Sequence, residues 1–134
     1  MKSMAAMLIA LAGLTMSTQA AEPTGTLTLG CQGTREISRP NAKLLSEQTS
    51  MGIIINFTAR AVAGSFIDPS VDDFPLAIHS INETTVIFGG ADKIGNSSVE
   101  GSIDRVTGYV EAVWAEGNAM TRYTLRCRPT QRMF

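Results

Sequence analysis

Apolar and polar residues alternate along most of this chain from residue 26 onward, and a period of two is the spacing of a half-buried β-strand. The clearest run lies at residues 51–63, where Met51, Ile53, Ile55 and Phe57 share one parity. Seven segments are predicted to be strands on this basis: residues 26–31, 51–63, 76–81, 84–88, 98–103, 109–115 and 120–127. Almost no segment has a helical period, so the pattern predicts an all-β domain.

Two longer polar stretches separate these segments. Residues 32–49 contain Pro40 and several charges, which favours a long loop with at most one helical turn around residues 42–47. Residues 64–75 contain three aspartates and two prolines and are also predicted to be a loop. Gly89 and Gly90 are expected to end the strand that begins at residue 84.

The most specific local signal is the link between the strands at 98–103 and 109–115. It is five residues long and includes Asp104, Thr107 and Gly108. Gly108 can adopt the positive φ that a type I turn followed by a bulge requires, and the Asp104 carboxylate can accept hydrogen bonds from the turn amides. The link therefore predicts a tight antiparallel hairpin.

The first 20 of the 134 residues have the order of a secretory signal peptide. Lys2 supplies a positive start, residues 4–16 are apolar, and small residues precede a cleavage site between Ala20 and Ala21. The remaining 21–134 are then one β-barrel-like domain, exported to the periplasm or secreted. No second apolar run reaches about 18 residues, so no transmembrane segment is expected in the mature chain.

Cys31 and Cys127 are the two cysteines of the sequence, and each shares the parity of its strand's apolar residues. An even pair in an exported protein favours a disulfide, which would join the first predicted strand to the last. Such a link suits an antiparallel meander of about seven or eight strands that closes into a barrel. A β-sandwich, with the disulfide between its two sheets, is the alternative.

Few residues in the chain suit catalysis or metal binding. His79 is the single histidine and alternates out of phase with its apolar neighbours, so an exposed position is expected. Asp68, Asp72 and Asp73 lack the spacing of a calcium loop and fit a solvated loop better. No Gly-x-Ser-x-Gly motif or phosphate-binding glycine loop occurs, and no cofactor or metal is expected.

Two sets of residues are candidates for binding. Arg122, Arg126 and Arg128 share the outward parity of the last strand and could receive an anionic group or an acidic partner. Four aromatic residues could line a cavity or simply fill the barrel: Phe57, Phe88, Trp114 and Tyr123. The formal net charge of −1 gives no reason to expect a nucleic-acid partner.

Residues 50–60, 101–108, 125–129 and 131–134 together resemble a family of small exported proteins of soil-associated bacteria. The resemblance covers most of the mature chain and implies a bacterial periplasmic or secreted location. It implies no activity and no site residues. Periplasmic lysozyme inhibitors are similar in size and architecture, but their Ser-Gly motif followed by a tyrosine is not found here.

These features together predict a non-enzymatic exported binding module. One hypothesis is that the barrel mouth takes a small apolar or amphipathic ligand. The alternative is a protein-partner module, such as an inhibitor of an envelope hydrolase, that uses an outer face or a loop. A large cavity lined by Trp114 and Phe88 would favour the first hypothesis, and a filled lumen with a protruding 64–75 loop would favour the second.

Overall fold

The computed structural model describes residues 23–68, 73–92 and 94–130, so the predicted signal peptide lies outside the described residues. Eight antiparallel strands follow one another in chain order and form a closed barrel. They are β1 (Thr26–Ser38), β2 (Leu45–Asn56), β3 (Ala61–Gly64), β4 (Leu76–Ile81), β5 (Thr85–Asp92), β6 (Ser97–Asp104), β7 (Tyr109–Glu116) and β8 (Ala119–Pro129). Within the described part of the chain, no helix is long and apolar enough to cross a membrane.

The barrel closes where β8 pairs with β1, and the predicted disulfide crosses this seam. Cys31 and Cys127 are direct partners in the β1–β8 register, with their Cα atoms 4.0 Å apart and their sulfurs bonded. Both cysteines are buried, in the same parity as the apolar residues of their strands. The structure thus confirms a barrel, rather than a sandwich, with its first and last strands tied by a disulfide.

The interior is formed by alternate residues of the strands, as the period of two predicts. Its largest fully buried side chains are Phe66, Phe88, Ile53, Ile55, Leu125, Val86, Val99 and Val110. The Phe66 ring packs against both Phe88 and Tyr123, with ring centroids 5.6 Å apart in each pair. The lumen is therefore filled by side chains.

The prediction of a long loop at residues 32–49 is wrong over most of its length. β1 continues to Ser38 and β2 begins at Leu45, and the two strands pair without interruption from Thr26 and Asn56 to Ile37 and Leu45. No helical turn is present at residues 42–47. The prediction of one strand over 51–63 is also wrong, because a turn at residues 57–60 separates β2 from β3.

Gly89 and Gly90 lie inside β5, which contradicts the prediction that they end the strand. A Cβ on Gly89 would come within 2.6 Å of the Val99 carbonyl oxygen on the adjacent strand. A Cβ on Gly90 would meet the carbonyl oxygen of Pro75. These glycines allow a close approach of neighbouring backbone, which is the other common reason for glycine within a strand.

The 104–108 link forms a tight turn between β6 and β7. One carboxylate oxygen of Asp104 accepts hydrogen bonds from the N–H groups of Val106, at 2.8 Å, and Thr107, at 3.0 Å. The Gly108 N–H donates to the Asp104 carbonyl at 2.9 Å, and Gly108 has a φ of 78°. The two amide donors to its carboxylate lower the pKa of Asp104.

The barrel wall differs in height around its circumference. The tall side comprises β7, β8, β1 and β2, where β1 is paired on both edges as far as Ile37. The low side comprises β3, with four residues, and the start of β4 at Leu76. The chain between these two short strands reaches inward over the barrel, because Phe66 is completely buried. This difference in height shapes the site described next.

Candidate functional site

A cavity of about 670 Å³ lies at the barrel mouth, the end at which β1 finishes and β2 begins. The tall side contributes Arg35, Ile37, Met51, Trp114, Thr121 and Tyr123 to its lining. The low side and its loop contribute Gly64, Ser65, Ile67, Asp68 and Asp73. We call this space the mouth cavity; its lining combines two aromatic side chains with charged and hydroxyl groups.

Phe66 separates the mouth cavity from the lumen. Its side chain is completely buried and stacks edge-on against Tyr123, at an interplanar angle of 83°. Gly64 makes this position possible, since a Cβ there would lie 2.6 Å from the Phe66 ring. The lumen next to Tyr123 is therefore occupied by the Phe66 ring.

Tyr123 lines the mouth cavity and also contacts the loop that carries Phe66. Its hydroxyl donates a hydrogen bond of 3.0 Å to the Phe66 carbonyl, which fixes the loop that carries Phe66. Burial raises the pKa of the Tyr123 phenol, and the nearby Arg35 guanidinium opposes part of that rise. The phenol is therefore neutral at ordinary pH and acts as a hydrogen-bond donor.

Arg35 and Glu47 form an ion pair at the cavity wall. They are direct partners in the β1–β2 register, and the Arg35 Nε donates to the Glu47 carboxylate at 2.5 Å. Glu47 raises the pKa of the Arg35 guanidinium. Arg35 lines the cavity, and Glu47 compensates its charge.

Trp114 is half-buried at the cavity rim and is held in place by its indole N–H. That group donates a 2.6 Å hydrogen bond to the Ser97 hydroxyl. A smaller cavity of about 190 Å³ is lined in part by Met120 and shares five lining residues with the mouth cavity: Ile37, Arg39, Asp68, Trp114 and Thr121. The indole is thus fixed in orientation and borders both cavities.

The four aromatic residues predicted as a cavity lining fall in different places. Trp114 and Tyr123 line the mouth cavity. Phe88 is completely buried in the lumen, beneath Phe66. Phe57 lies at the opposite end of the barrel, packed against the core, where its N–H donates to the Gly25 carbonyl.

The arginines of β8 lie on the outer surface, all three exposed. In the register with β1, Arg122 lies opposite Glu36, Arg126 opposite Gln32 and Arg128 opposite Gly30. The guanidinium of Arg126 is 5.8 Å from the centroid of the Tyr109 ring, which is within the range of a cation–π contact. A surface pocket of about 600 Å³ is lined in part by Arg126 and Arg128.

His79 is exposed at a β-bulge between Ile78 and Ser80, on the outer surface of β4. Asp68 and Asp73 border the mouth cavity, while Asp72 lies outside the described residues. Among the residues that the structure describes, no three His, Cys, Asp or Glu side chains are grouped so that they could hold a metal ion.

Sequence reasoning missed the contribution of the tall side, because residues 32–49 were interpreted as a loop. Arg35 and Ile37 continue the odd parity of Leu29 and Cys31 along β1. Glu47 continues the parity of Met51 in the same way along β2. The period of two was therefore present in the sequence, although polar side chains concealed it.

Comparison with known proteins found no match for this chain. No family model, no curated protein and no solved structure matches the chain significantly.

Proposed function

We propose that this protein is a non-enzymatic exported binding module that takes a small amphipathic ligand in the mouth cavity. The observation that carries the proposal is the cavity itself, at about 670 Å³. Ligand sites of small molecules commonly range over roughly 300–1,000 Å³ and combine apolar walls with a few fixed polar groups. The mouth cavity has both components.

The apolar part of a ligand would contact the indole of Trp114 together with Ile37 and Met51. All three line the cavity, and Trp114 is already fixed by its hydrogen bond to Ser97. A side chain that is ordered before binding loses little conformational entropy when the ligand arrives. This wall is therefore suited to an aromatic or aliphatic group.

The polar part of a ligand would be directed by the charged and hydroxyl groups of the cavity. Arg39 and Thr121 lie on one side, and Asp68 and Asp73 on the other. Arg35 already has Glu47 as its partner, so Arg39 is the cation best placed to meet an anionic head group. A ligand with one apolar end and a head group that combines an anionic acceptor with a hydrogen-bond donor fits this distribution.

The single tryptophan of the chain makes the proposal directly testable. Anilinonaphthalene sulfonate is a suitable probe because it joins an aromatic body to one anionic group. Titration into the purified domain should quench Trp114 fluorescence in a saturable manner. The same protein, incubated with an extract of bacterial envelope and then repurified, should retain a small molecule that mass spectrometry detects.

A matched pair of variants locates the binding. Thr49 lines the cavity, whereas its neighbour Gln48 is exposed on the outer surface of the same strand. Thr49→Phe should fill part of the cavity and weaken probe binding about tenfold or more, and Gln48→Phe should leave it unchanged. Equal affinities in the two variants would contradict binding at the mouth.

A protein-partner role, such as inhibition of an envelope hydrolase, is the second candidate. It is favoured by the filled lumen, in which Phe66 and Phe88 leave no deep ligand site. A complex with a hydrolase that survives Thr49→Phe but is lost when Arg126 and Arg128 are both replaced by serine would support this role. Loss of the complex in Thr49→Phe alone would instead indicate that binding takes place at the mouth cavity.

A further inference from the structure

One edge of β2 lacks a strand partner over more than half of its length. β2 has 12 residues, and only Ile53–Asn56 pair with β3. The segment from Leu45 to Gly52 is paired with β1 on its other edge, but no ladder joins it to the low side among the described residues. An edge of this kind presents unused N–H and C=O groups to whatever lies beside it.

The hydrogen-bond pattern identifies which backbone groups face the open side. The Phe57 N–H donates to the Gly25 carbonyl at 2.8 Å, and the β1–β2 register continues from there without a bulge. Because partners in an antiparallel pair alternate, odd-numbered residues of β2 bond to β1 and even-numbered residues face the other way. Gln48, Ser50 and Gly52 therefore direct their N–H and C=O groups to the open side.

The mouth cavity begins at this edge. Thr49, Ser50 and Met51 of β2 line it, and so do Ser65, Ile67 and Asp73 from the chain between β3 and β4. The distance from Gln48 to Gly52 is four residue steps, or about 13 Å at ~3.3 Å per residue. Because residues of β2 and of the loop after β3 line one cavity, the space beside the edge suits a single extended chain better than a second barrel.

We propose that the β2 edge binds an extended peptide segment as an added antiparallel strand, next to Gln48, Ser50 and Gly52. Backbone pairing would supply the affinity, as in other cases in which a peptide adds to a sheet edge. Alternate side chains of the peptide would point into the mouth cavity, toward Met51 and Ile67, and this favours one apolar residue there. The neutral Arg35–Glu47 pair on the same wall favours a peptide of low net charge.

This inference rests on the open backbone edge and is independent of the proposed small ligand. A seated peptide would nevertheless occupy part of the mouth cavity, so peptide and anilinonaphthalene sulfonate should compete. If the dye binds and the peptide does not, only the peptide proposal fails. If the peptide binds and the dye does not, only the small-ligand proposal fails.

Amide hydrogen exchange measured by NMR gives the direct test. In the free protein, the N–H groups of Gln48, Ser50 and Gly52 should exchange much faster than those of Thr49 and Met51, which are paired with β1. The probe is the capped pentapeptide acetyl-Thr-Thr-Leu-Thr-Thr-amide. At millimolar concentration it should slow exchange at the even-numbered positions about tenfold and leave the odd-numbered positions unchanged.

A proline substitution removes one donor from the edge. Ser50→Pro deletes an N–H that β1 does not use, and proline is tolerated in a strand where its N–H would face outward. The loss of one hydrogen bond should weaken peptide binding about fivefold to tenfold. Ser50→Ala retains the N–H, so its peptide affinity should exceed that of Ser50→Pro by this factor, and circular dichroism would show whether both variants fold.

Two N-methylated peptides keep the test independent of any variant. One carries N-methyl groups on its odd-numbered amides and the other on its even-numbered amides, so only one of them blocks the groups that face β2. One of these peptides should bind as the parent does, and the other should not bind. Equal binding by both, or unchanged exchange at Gln48 and Ser50 with the parent peptide, would overturn the proposal.

Discussion

Removal of the Cys31–Cys127 disulfide should lower the stability of the barrel without abolishing its fold. The seam that the disulfide crosses has its own backbone ladder, with ten register pairs between β1 and β8. The core residues next to it, Leu29 and Leu125, do not depend on the sulfur–sulfur bond for their burial. A Cys31→Ala/Cys127→Ala variant is therefore expected to form the same closed sheet.

The size of the effect follows from the length of chain that the disulfide closes. The two cysteines are 96 residues apart, and a loop of about 100 residues is assigned roughly 4.7 kcal/mol in the chain-entropy treatment. Measured values are commonly lower, so we expect the free energy of unfolding to fall by about 3–4 kcal/mol. At ~4 °C per kcal/mol, Tm should fall by roughly 12–16 °C.

Thermal unfolding followed by far-ultraviolet circular dichroism measures both parts of the prediction. The oxidised protein, the protein kept reduced with dithiothreitol and the double alanine variant would be compared in the same buffer. The reduced protein and the variant should retain a β-sheet spectrum and melt at similar, lower temperatures. A Tm within about 2 °C of the oxidised protein would refute the entropic reasoning, and a disordered spectrum would show that the β1–β8 ladder alone cannot hold the seam.

Two further predictions concern the turn between β6 and β7. Gly108→Ala should destabilise the protein by more than the ~1–2 kcal/mol expected for a positive φ alone, because the added Cβ would meet the Cys127 carbonyl. Gly117→Ala is the matched control, since Gly117 has a φ of 56° and open space around it. Equal losses of stability for the two variants in chemical denaturation would count against this contact. Hydrogen bonds from the Thr107 and Val106 amides lower the pKa of Asp104 below its usual 3.8. The ionised Asp104 carboxylate therefore stabilises the fold at pH values above 3.8, and this stabilisation is lost as the pH falls through the lower pKa of the folded state. Asp104→Asn cannot titrate and should show a weaker loss of Tm between about pH 4 and pH 2, whereas identical acid profiles would contradict this assignment.

The parts of the fold that were predictable from sequence have one face in the core and one in water. β6, β7 and β8 follow the predicted segments within two residues at each end, because Val99, Val110 and Leu125 alternate with polar neighbours. The disulfide was predictable for the same reason, since each cysteine shares its strand's buried parity. The hairpin at 104–108 was marked by residues whose turn chemistry is specific.

The mouth-side parts of two strands, residues 32–38 of β1 and 45–50 of β2, were not predictable in this way. Arg35 and Thr49 line the mouth cavity, and Glu47 pairs with Arg35. These inward-parity positions are therefore polar where an apolar residue is the usual sign of a strand. Hydrophobic alternation reports burial, and it disappears where both faces of a strand contact water. The candidate site was missed because it lies in this region.

The turn between β2 and β3 was missed for a different reason. It contains no glycine or proline; instead Arg60 takes a φ of 55°, and the Asn56 side chain accepts a hydrogen bond from the Ala59 N–H at 2.9 Å. Arginine rarely adopts a left-handed conformation, so its sequence position gave no sign of a turn. Tertiary contacts, including the Ile78 N–H bonded to the Arg60 carbonyl at 2.9 Å, hold it there.

The up-and-down order of the strands also determines how the barrel would be oriented if it were attached to a surface through either end of its strand sequence. Gly25, which precedes β1, and Thr130, which follows β8, lie at the end of the barrel away from the mouth. The Thr130 N–H bonds to the Thr28 carbonyl at 2.9 Å. An anchor joined at either of these points leaves the opposite rim, with Trp114 and the open edge of β2, turned toward the surrounding solution. Immobilised barrels should therefore present their cavities outward whichever of the two points is used for attachment.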